Sequence, residues 1–255
     1  MKTFYQLLAN NLIASITNFT VWFAVIFFVY LETKSVFATS MLAGIYLVMT
    51  ISSGFWFGSI VDHHRKKTAM LISSYASLAI YIISFIIYLT ADPSVFKNVS
   101  SVTLWIFCPL ILIGIIFGNI RNVAMPTTIT LLIPEDRRDK ANGLVGTTFG
   151  ISFLIVSVIS GFLVGMGGMY YVLILAITMT IAAIIHLLCL DLPEDKILHI
   201  TGQPKTIDIR GTMKVIKTIP GLFALILFAT FNNFLGGVFM SLMDGHCFQK
   251  WRLKS

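Results

Sequence analysis

Residues Ala141 to Leu190 read ANGLVGTTFGISFLIVSVISGFLVGMGGMYYVLILAITMTIAAIIHLLCL, a run of 50 residues without Asp, Glu, Lys or Arg. A bilayer core about 30 Å thick needs about 20 consecutive apolar residues in helical form. The run is therefore too long for one membrane span, and the glycines at 165, 167 and 168 divide it. We predict two successive transmembrane helices here, near residues 143–165 and 170–190.

The rest of the chain has a similar composition. Of its 255 residues, 57% are hydrophobic and 11% are charged, whereas a soluble domain carries about 25% charged residues. Five more uncharged runs are long enough to span a membrane: Thr3–Leu31, Ser35–Val61, Thr68–Ala91, Asn98–Ile120 and Thr218–Met243. The predicted fold class is an all-α integral membrane protein with seven helices, near 8–31, 37–61, 68–90, 103–132, 143–165, 170–190 and 220–243. The first run exceeds a signal peptide's apolar region and is followed by further spans, so we expect it to be retained.

The net charge of +7 raises the question of a nucleic-acid partner. With the N-terminus in the cytoplasm, 12 of the 18 Lys and Arg residues fall in cytoplasmic segments, and the outer loops between helices hold only Lys34 and Lys97. This asymmetry is the positive-inside pattern of membrane proteins. We therefore expect a lipid bilayer and no nucleic acid around this chain, and a multi-pass location in the cell membrane with a cytoplasmic N-terminus.

The second and third predicted helices meet in the segment GSIVDHHRKK, Gly58 to Lys67. A glycine allows helices to approach closely, and a carboxylate at a helix junction can pair with basic neighbours or a helix N-terminus. The segment resembles the loop between helices two and three of the major facilitator superfamily. The resemblance implies a conformational-switch loop that contacts the second half of such a transporter, formed by Gly58, Asp62, Arg65, Lys66 and Lys67. The residues themselves also fit a solvated charge cluster that sets orientation.

A second likeness begins at RNVAMP, Arg121 to Pro126, and continues through LLIPEDRRDKANG, Leu131 to Gly143. It is similar to the end of helix four and the following loop in the macrolide-efflux-like branch of the same superfamily. The glycine- and proline-rich element of helix five in antiporters is represented only by Gly161. The resemblance implies a secondary active transporter that exports a small amphipathic solute or drug by alternating access, coupled to a proton or another ion.

The resemblance also implies a domain organisation. Residues 1–190 would be the six-helix N-terminal half of a major-facilitator-type bundle, 191–219 a cytoplasmic linker and 220–243 one helix of the C-terminal half. Residues 244–255 end in a basic cluster that would lie outside the cell, against the charge rule. We expect translation to leave its original frame near Asp244, which would make the chain part of a longer exporter. The alternative function is a truncated, non-transporting membrane fragment that is inert, self-associates or binds another membrane protein.

Polar residues inside the spans are the candidate substrate-binding residues. In helix one, Asn11, Asn18 and Trp22 share one helical face, and in the superfamily this helix lines the central cavity. Arg121 is an ionised side chain within a span, which by default marks a functional site. The predicted substrate site is Arg121, Asn11, Asn18, Trp22 and Asn119. Interhelical hydrogen bonds remain the alternative for the helix-one residues, and pairing across the bundle or snorkelling to the interface remains the alternative for Arg121.

Other motifs predict little chemistry. Cys108, Cys189 and Cys247 are far apart, and neither a metal site, a cofactor nor an enzymatic motif is indicated. Glycines four residues apart predict close helix packing. They occur at 54 and 58, 114 and 118, 146 and 150, and 161 and 165.

Overall fold

The computed structural model describes residues 2–192 and 209–235. All regular structure in these ranges is helical. The chain divides into two compact units, Met1–His199 and Ile200–Ser255, and each is described by itself.

Within its described residues, the first unit contains the 3-10 helix Glu135–Arg137 and eight α-helices. They are α1 Lys2–Thr33, α2 Val36–His63, α3 Lys66–Thr90, α4 Ser94–Lys97, α5 Val102–Gly118, α6 Ile120–Leu132, α7 Arg138–Gly167 and α8 Met169–Leu188. The Ser35 hydroxyl caps α2 by accepting from the Ala38 backbone N–H at 3.2 Å. Gly168, with φ 60°, separates α7 from α8 in a conformation that glycine adopts without strain. The predicted division of the 50-residue run at its glycines is thus confirmed.

Six helical segments are long and apolar enough to cross a membrane. They are Thr3–Thr33, Val36–His63, Lys66–Thr90, Val102–Leu132, Glu135–Gly167 and Met169–Leu188. The fourth span joins α5 and α6 through Asn119. The all-α, multi-pass membrane fold is therefore confirmed.

The second unit contains α9, Ile209–Thr218, and an apolar helix α10, Leu222–Leu235. The predicted seventh span over 220–243 coincides with α10 as far as residue 235. Its last residues and the predicted tail lie outside the described residues.

The first unit packs around α1, which contacts α2, α5, α7 and α8. Its buried apolar side chains form two clusters. The first includes Val25, Phe28, Phe107, Leu112 and Val172. The second includes Phe4, Met70, Ile120, Met125 and Leu187.

Buried polar side chains lie between the two apolar clusters. Along α1, Leu8 is the last residue of the second cluster and Val21 is the first residue of the first cluster. Between them, the side chains of Asn10 and Thr17 are buried. On α3, three buried serines lie in the same way between Met70 of the second cluster and Tyr81 of the first: Ser73, Ser74 and Ser77. We call this level of the bundle the polar layer: Asn10, Thr17, Asn18, Ser73, Ser74, Ser77, Arg121 and Thr180. Its place midway along the helices makes it the candidate functional region.

The glycine pairs behave differently from one another. A Cβ on Gly114 would lie 2.8 Å from Tyr81, and one on Gly118 would lie 2.5 Å from Asn18, so this pair allows close packing as predicted. The prediction is wrong within the described residues for the pairs 54/58 and 146/150, where a Cβ would meet nothing within 4 Å. These glycines lie on helix faces that no other described part of the first unit covers closely.

Candidate functional site

Arg121 lies in the first turn of α6 and its side chain is only 4% exposed. Its Nη1 donates to Asn10 Oδ1 at 2.6 Å, and its Nη2 donates to Ser74 Oγ at 2.6 Å. An arginine keeps its charge in proteins. The ion pair found among the described residues, Arg137 with Asp136, is exposed and belongs to a loop. Arg121 is therefore a buried cation that is hydrogen-bonded across the bundle but has no carboxylate partner in the described ranges.

Asn10 connects Arg121 to α8. Its Oδ1 accepts from Arg121, its Nδ2 donates to the Ala183 carbonyl at 2.8 Å, and the same Nδ2 lies 3.1 Å from His186 Nδ1. Since the amide nitrogen is a donor, His186 Nδ1 acts as acceptor in this arrangement. Asn10 was not among the site residues predicted from the sequence. A second polar face of α1, with Asn10 and Thr17 seven residues apart, is the signal that marks it.

Asn18 and Asn119 form a second polar group near Arg121. Asn18 Nδ2 donates to the Ile115 carbonyl at 3.0 Å and to Asn119 Oδ1 at 3.2 Å, while Asn18 Oδ1 accepts from the Tyr81 hydroxyl at 3.2 Å. Asn119 Nδ2 donates to the Tyr46 hydroxyl at 3.2 Å. The group joins α1, α2, α3 and α5 at one level.

Trp22 lies one helical turn beyond Asn18 on α1. Its ring is half-buried, with its centroid 4.2 Å from that of Tyr46 on α2. Asn122 is exposed beside this group, and its Nδ2 lies 3.4 Å from Asn119 Oδ1. Aromatic surface and amide groups thus lie side by side on the wall formed by α1, α2 and the α5–α6 junction. We call this surface the amide–aromatic wall: Asn18, Trp22, Tyr46, Asn119 and Asn122.

The predicted substrate residues do not form one group. Asn18 and Arg121 line the same cavity, Asn119 is bonded to Asn18, and Trp22 contacts Tyr46. Asn11 is 8% exposed and makes no hydrogen bond with its side chain in the described part of the chain.

The cavity beside Arg121 has a volume of about 30 Å³. Thr17, Ser77 and Thr180 line it together with Arg121. A drug-sized ligand needs a pocket on the order of 300–1,000 Å³, whereas a single water molecule needs on the order of 10–15 Å³ of such cavity space. The cavity has room for about two water-sized ligands and is too small to enclose an organic drug.

The hydrogen bonds described for the lysines of the predicted switch loop lie within the first unit. Lys66 Nζ donates to the Val61 carbonyl at 2.5 Å. Lys67 Nζ donates to the carbonyls of Leu188, at 3.0 Å, and Leu190, at 2.5 Å. Asp62 and Arg65 are exposed. Lys67 therefore caps the C-terminal end of α8, where a cation interacts favourably with free carbonyls and the helix dipole.

The described residues offer no group of three or more His, Cys, Asp or Glu side chains placed to hold a metal ion. Cys108 is buried and Cys189 is exposed, and both are free thiols.

Comparison with known proteins places these observations in a family. The Major Facilitator Superfamily profile matches residues 7–246. Macrolide efflux protein A of Streptococcus pyogenes is 23% identical over 239 residues, which cover 91% of this chain and 55% of the relative. Macrolide efflux protein A of Streptococcus pyogenes serotype M6 (strain ATCC BAA-946 / MGAS10394) gives the same values. The chain thus spans about half the length of the curated relatives it matches, and no solved structure matches it.

Proposed function

The chain belongs to the Major Facilitator Superfamily, and on that premise we propose that it forms the first six-helix half of a secondary active transporter. Transporters of this architecture bind substrate between two six-helix halves and rock the halves around the site. The observation that carries the proposal is the first unit itself, with six membrane-length helices and polar side chains midway along them.

The faces of α2 and α7 support this assignment. Gly44, Gly54, Gly146 and Gly150 are exposed, and a Cβ on any of them would meet nothing within 4 Å. In membranes, small residues allow helix backbones to approach closely. We assign these faces to contact with a complementary second half, which leaves α1 and the α5–α6 junction to face the substrate.

We assign substrate contact to the amide–aromatic wall and to Asn11. An amphipathic solute is bound by aromatic surface with a few polar groups that fix its orientation. Trp22 and Tyr46 supply the aromatic surface, and Asn119 and Asn122 supply donors and acceptors. The relatives' name supports a macrolide as the substrate and export as the direction.

Arg121 receives a different role. Since it is 4% exposed and bonded to Asn10 and Ser74, we assign it the predicted role of pairing across the bundle, which holds α1, α3 and α6 together. Arg121 would then affect transport indirectly, because it holds in place the helices that carry the amide–aromatic wall.

The orientation proposal rests on the two ends of the first unit. Phe4, Val61, Ile133 and Leu190 pack in one apolar cluster, so the N-terminus of α1 and the loops at residues 64–65 and 133–137 lie at the same end. That end carries Lys66, Lys67, Arg137, Arg138 and Lys140. By the positive-inside rule we place it in the cytoplasm of the cell. Single cysteines at 97 and 140, in a chain without other cysteines, test this: an impermeant maleimide applied to intact cells labels only the first.

Solute flux in proteoliposomes tests the proposed transport. Purified chain is reconstituted alone, and also with the separately expressed second half of the streptococcal macrolide efflux protein A. We expect uptake of a radiolabelled macrolide above that of protein-free liposomes when two halves are present. A dependence on an imposed pH or sodium gradient identifies the coupling ion.

A second candidate function remains because the chain spans 55% of the relatives' length. In that case the chain is a folded membrane protein that does not transport, alone or with a second copy. Size-exclusion chromatography with light scattering, run on the sample used for flux, separates a folded inactive monomer from an active self-associated form.

A further inference from the structure

We propose that the polar layer of the first unit binds a single small inorganic anion, with chloride as the physiological ligand, beside the Arg121 guanidinium. The site adjoins the amide–aromatic wall, with which it shares Asn18, and the proposal holds whether or not the chain transports a solute.

Arg121 carries a positive charge inside the bundle. Its side chain is 4% exposed, and no described carboxylate pairs with it. Of the five N–H donors of a guanidinium, two are used, by Asn10 Oδ1 and Ser74 Oγ. A buried charge is stable when it is paired and its remaining donors are satisfied. Within the described ranges, three donors and one full positive charge are thus left for a ligand.

The size of the adjoining cavity selects the kind of ligand. At about 30 Å³, the cavity has room for a monatomic ion or about two water molecules and is too small to enclose an organic substrate. The fixed positive charge disfavours a metal cation. A halide satisfies both the size and the charge.

The cavity wall can supply two further donors. Thr17 and Thr180 donate to carbonyls four residues earlier in their own helices, Ile13 and Ala176. Such bonds involve carbonyls that already accept the helical N–H, so the hydroxyls can rotate without leaving an orphaned backbone group. Both residues line the cavity, Thr17 from α1 and Thr180 from α8. A bound anion would therefore be held by Arg121 together with Thr17 and Thr180.

Chloride titration of the purified full chain tests the site. Thermal unfolding is followed in detergent while chloride replaces gluconate at constant ionic strength, so that general screening does not change. Binding to the folded state raises Tm with chloride, on the order of a few degrees for each tenfold increase above the dissociation constant. Broadening of the chloride NMR line by the protein provides a direct binding signal.

Two variants locate the ligand. Arg121→Gln removes the charge, and Ala14→Leu fills the cavity from α1 while it keeps the guanidinium. Both should abolish the chloride-dependent rise of Tm and the line broadening. The control Arg65→Gln, which removes an exposed cation, should leave both unchanged. If Arg121→Gln does not fold, Ala14→Leu decides the question.

Two results would overturn the proposal. Equal Tm values in chloride and gluconate, without line broadening, mean that the cavity holds water only. A chloride effect of full size in Ala14→Leu, or in folded Arg121→Gln, means that the anion binds elsewhere.

Discussion

Replacing Asn10 with alanine removes the side chain that links the Arg121 guanidinium to α8. Three polar contacts are lost: the charge-assisted bond from Arg121 Nη1, the bond to the Ala183 carbonyl and the contact with His186 Nδ1. A hydrogen bond to a charged group contributes about 1.5–3 kcal/mol. Side-chain bonds between membrane helices average about 0.6 kcal/mol each. Alanine's higher helix propensity offsets roughly 0.5 kcal/mol, which leaves a net loss of about 2–4 kcal/mol in the free energy of unfolding.

The neighbouring asparagine provides a matched control. Asn11→Ala makes the same chemical change one residue later, at a side chain that is 8% exposed and makes no hydrogen bond in the described part of the chain. We expect its unfolding free energy to change by less than about 1 kcal/mol. Equilibrium unfolding of both variants by SDS in mixed micelles, followed by circular dichroism, measures the difference. If Asn10→Ala were no less stable than Asn11→Ala, the bonds to Asn10 would not hold the polar layer together, and our account of Arg121 would be wrong.

Three further predictions follow from the same contacts. Gly118→Ala should lower the free energy of unfolding by about 1–3 kcal/mol, because the new Cβ would lie 2.5 Å from Asn18 Oδ1. Gly150→Ala, whose new Cβ meets nothing within 4 Å, should leave the free energy of unfolding equal or raise it by up to about 1 kcal/mol. If SDS unfolding showed Gly150→Ala to be the less stable variant, the described packing of these glycines would be contradicted. Lys67→Ala should lower the free energy of unfolding by about 1 kcal/mol, because α8 loses its cap. A free energy of unfolding equal to that of the wild type, at low and at high salt, would argue against this role of Lys67. Arg121→Ala should abolish flux in a transport-competent assembly, and undiminished flux would remove Arg121 from the functional residues.

The transmembrane helices were predictable because one physical requirement sets their length. Uncharged runs such as Ser35–Val61 coincide closely with the spans, here with α2, Val36–His63. Lipid forces every backbone polar group into internal hydrogen bonds, so an apolar run of sufficient length forms a helix. The break between α7 and α8 was predictable from the glycines, because a glycine such as Gly168 adopts a positive φ without strain.

The partners of the polar side chains were not predictable in the same way. Helical periodicity placed Asn18 and Trp22 on one face of α1, and both lie towards α2 and α5. It could not show that Asn10, on the adjacent face, would meet Arg121, because that contact depends on how four helices are arranged. The same limit applied to the glycine pairs, since residue spacing does not show which face has a neighbour.

The central claim is that this chain forms one half of a transporter, and flux through a two-half assembly tests it most directly. Wild-type chain, reconstituted with the second half of the streptococcal relative, is compared with Gly150→Leu, which places a bulky side chain on the open α7 face. We expect macrolide uptake by the wild-type assembly, and loss of that uptake in Gly150→Leu although that chain folds normally. Absence of uptake from folded wild-type chain, both alone and with the second half bound, would contradict the account and favour the non-transporting membrane protein.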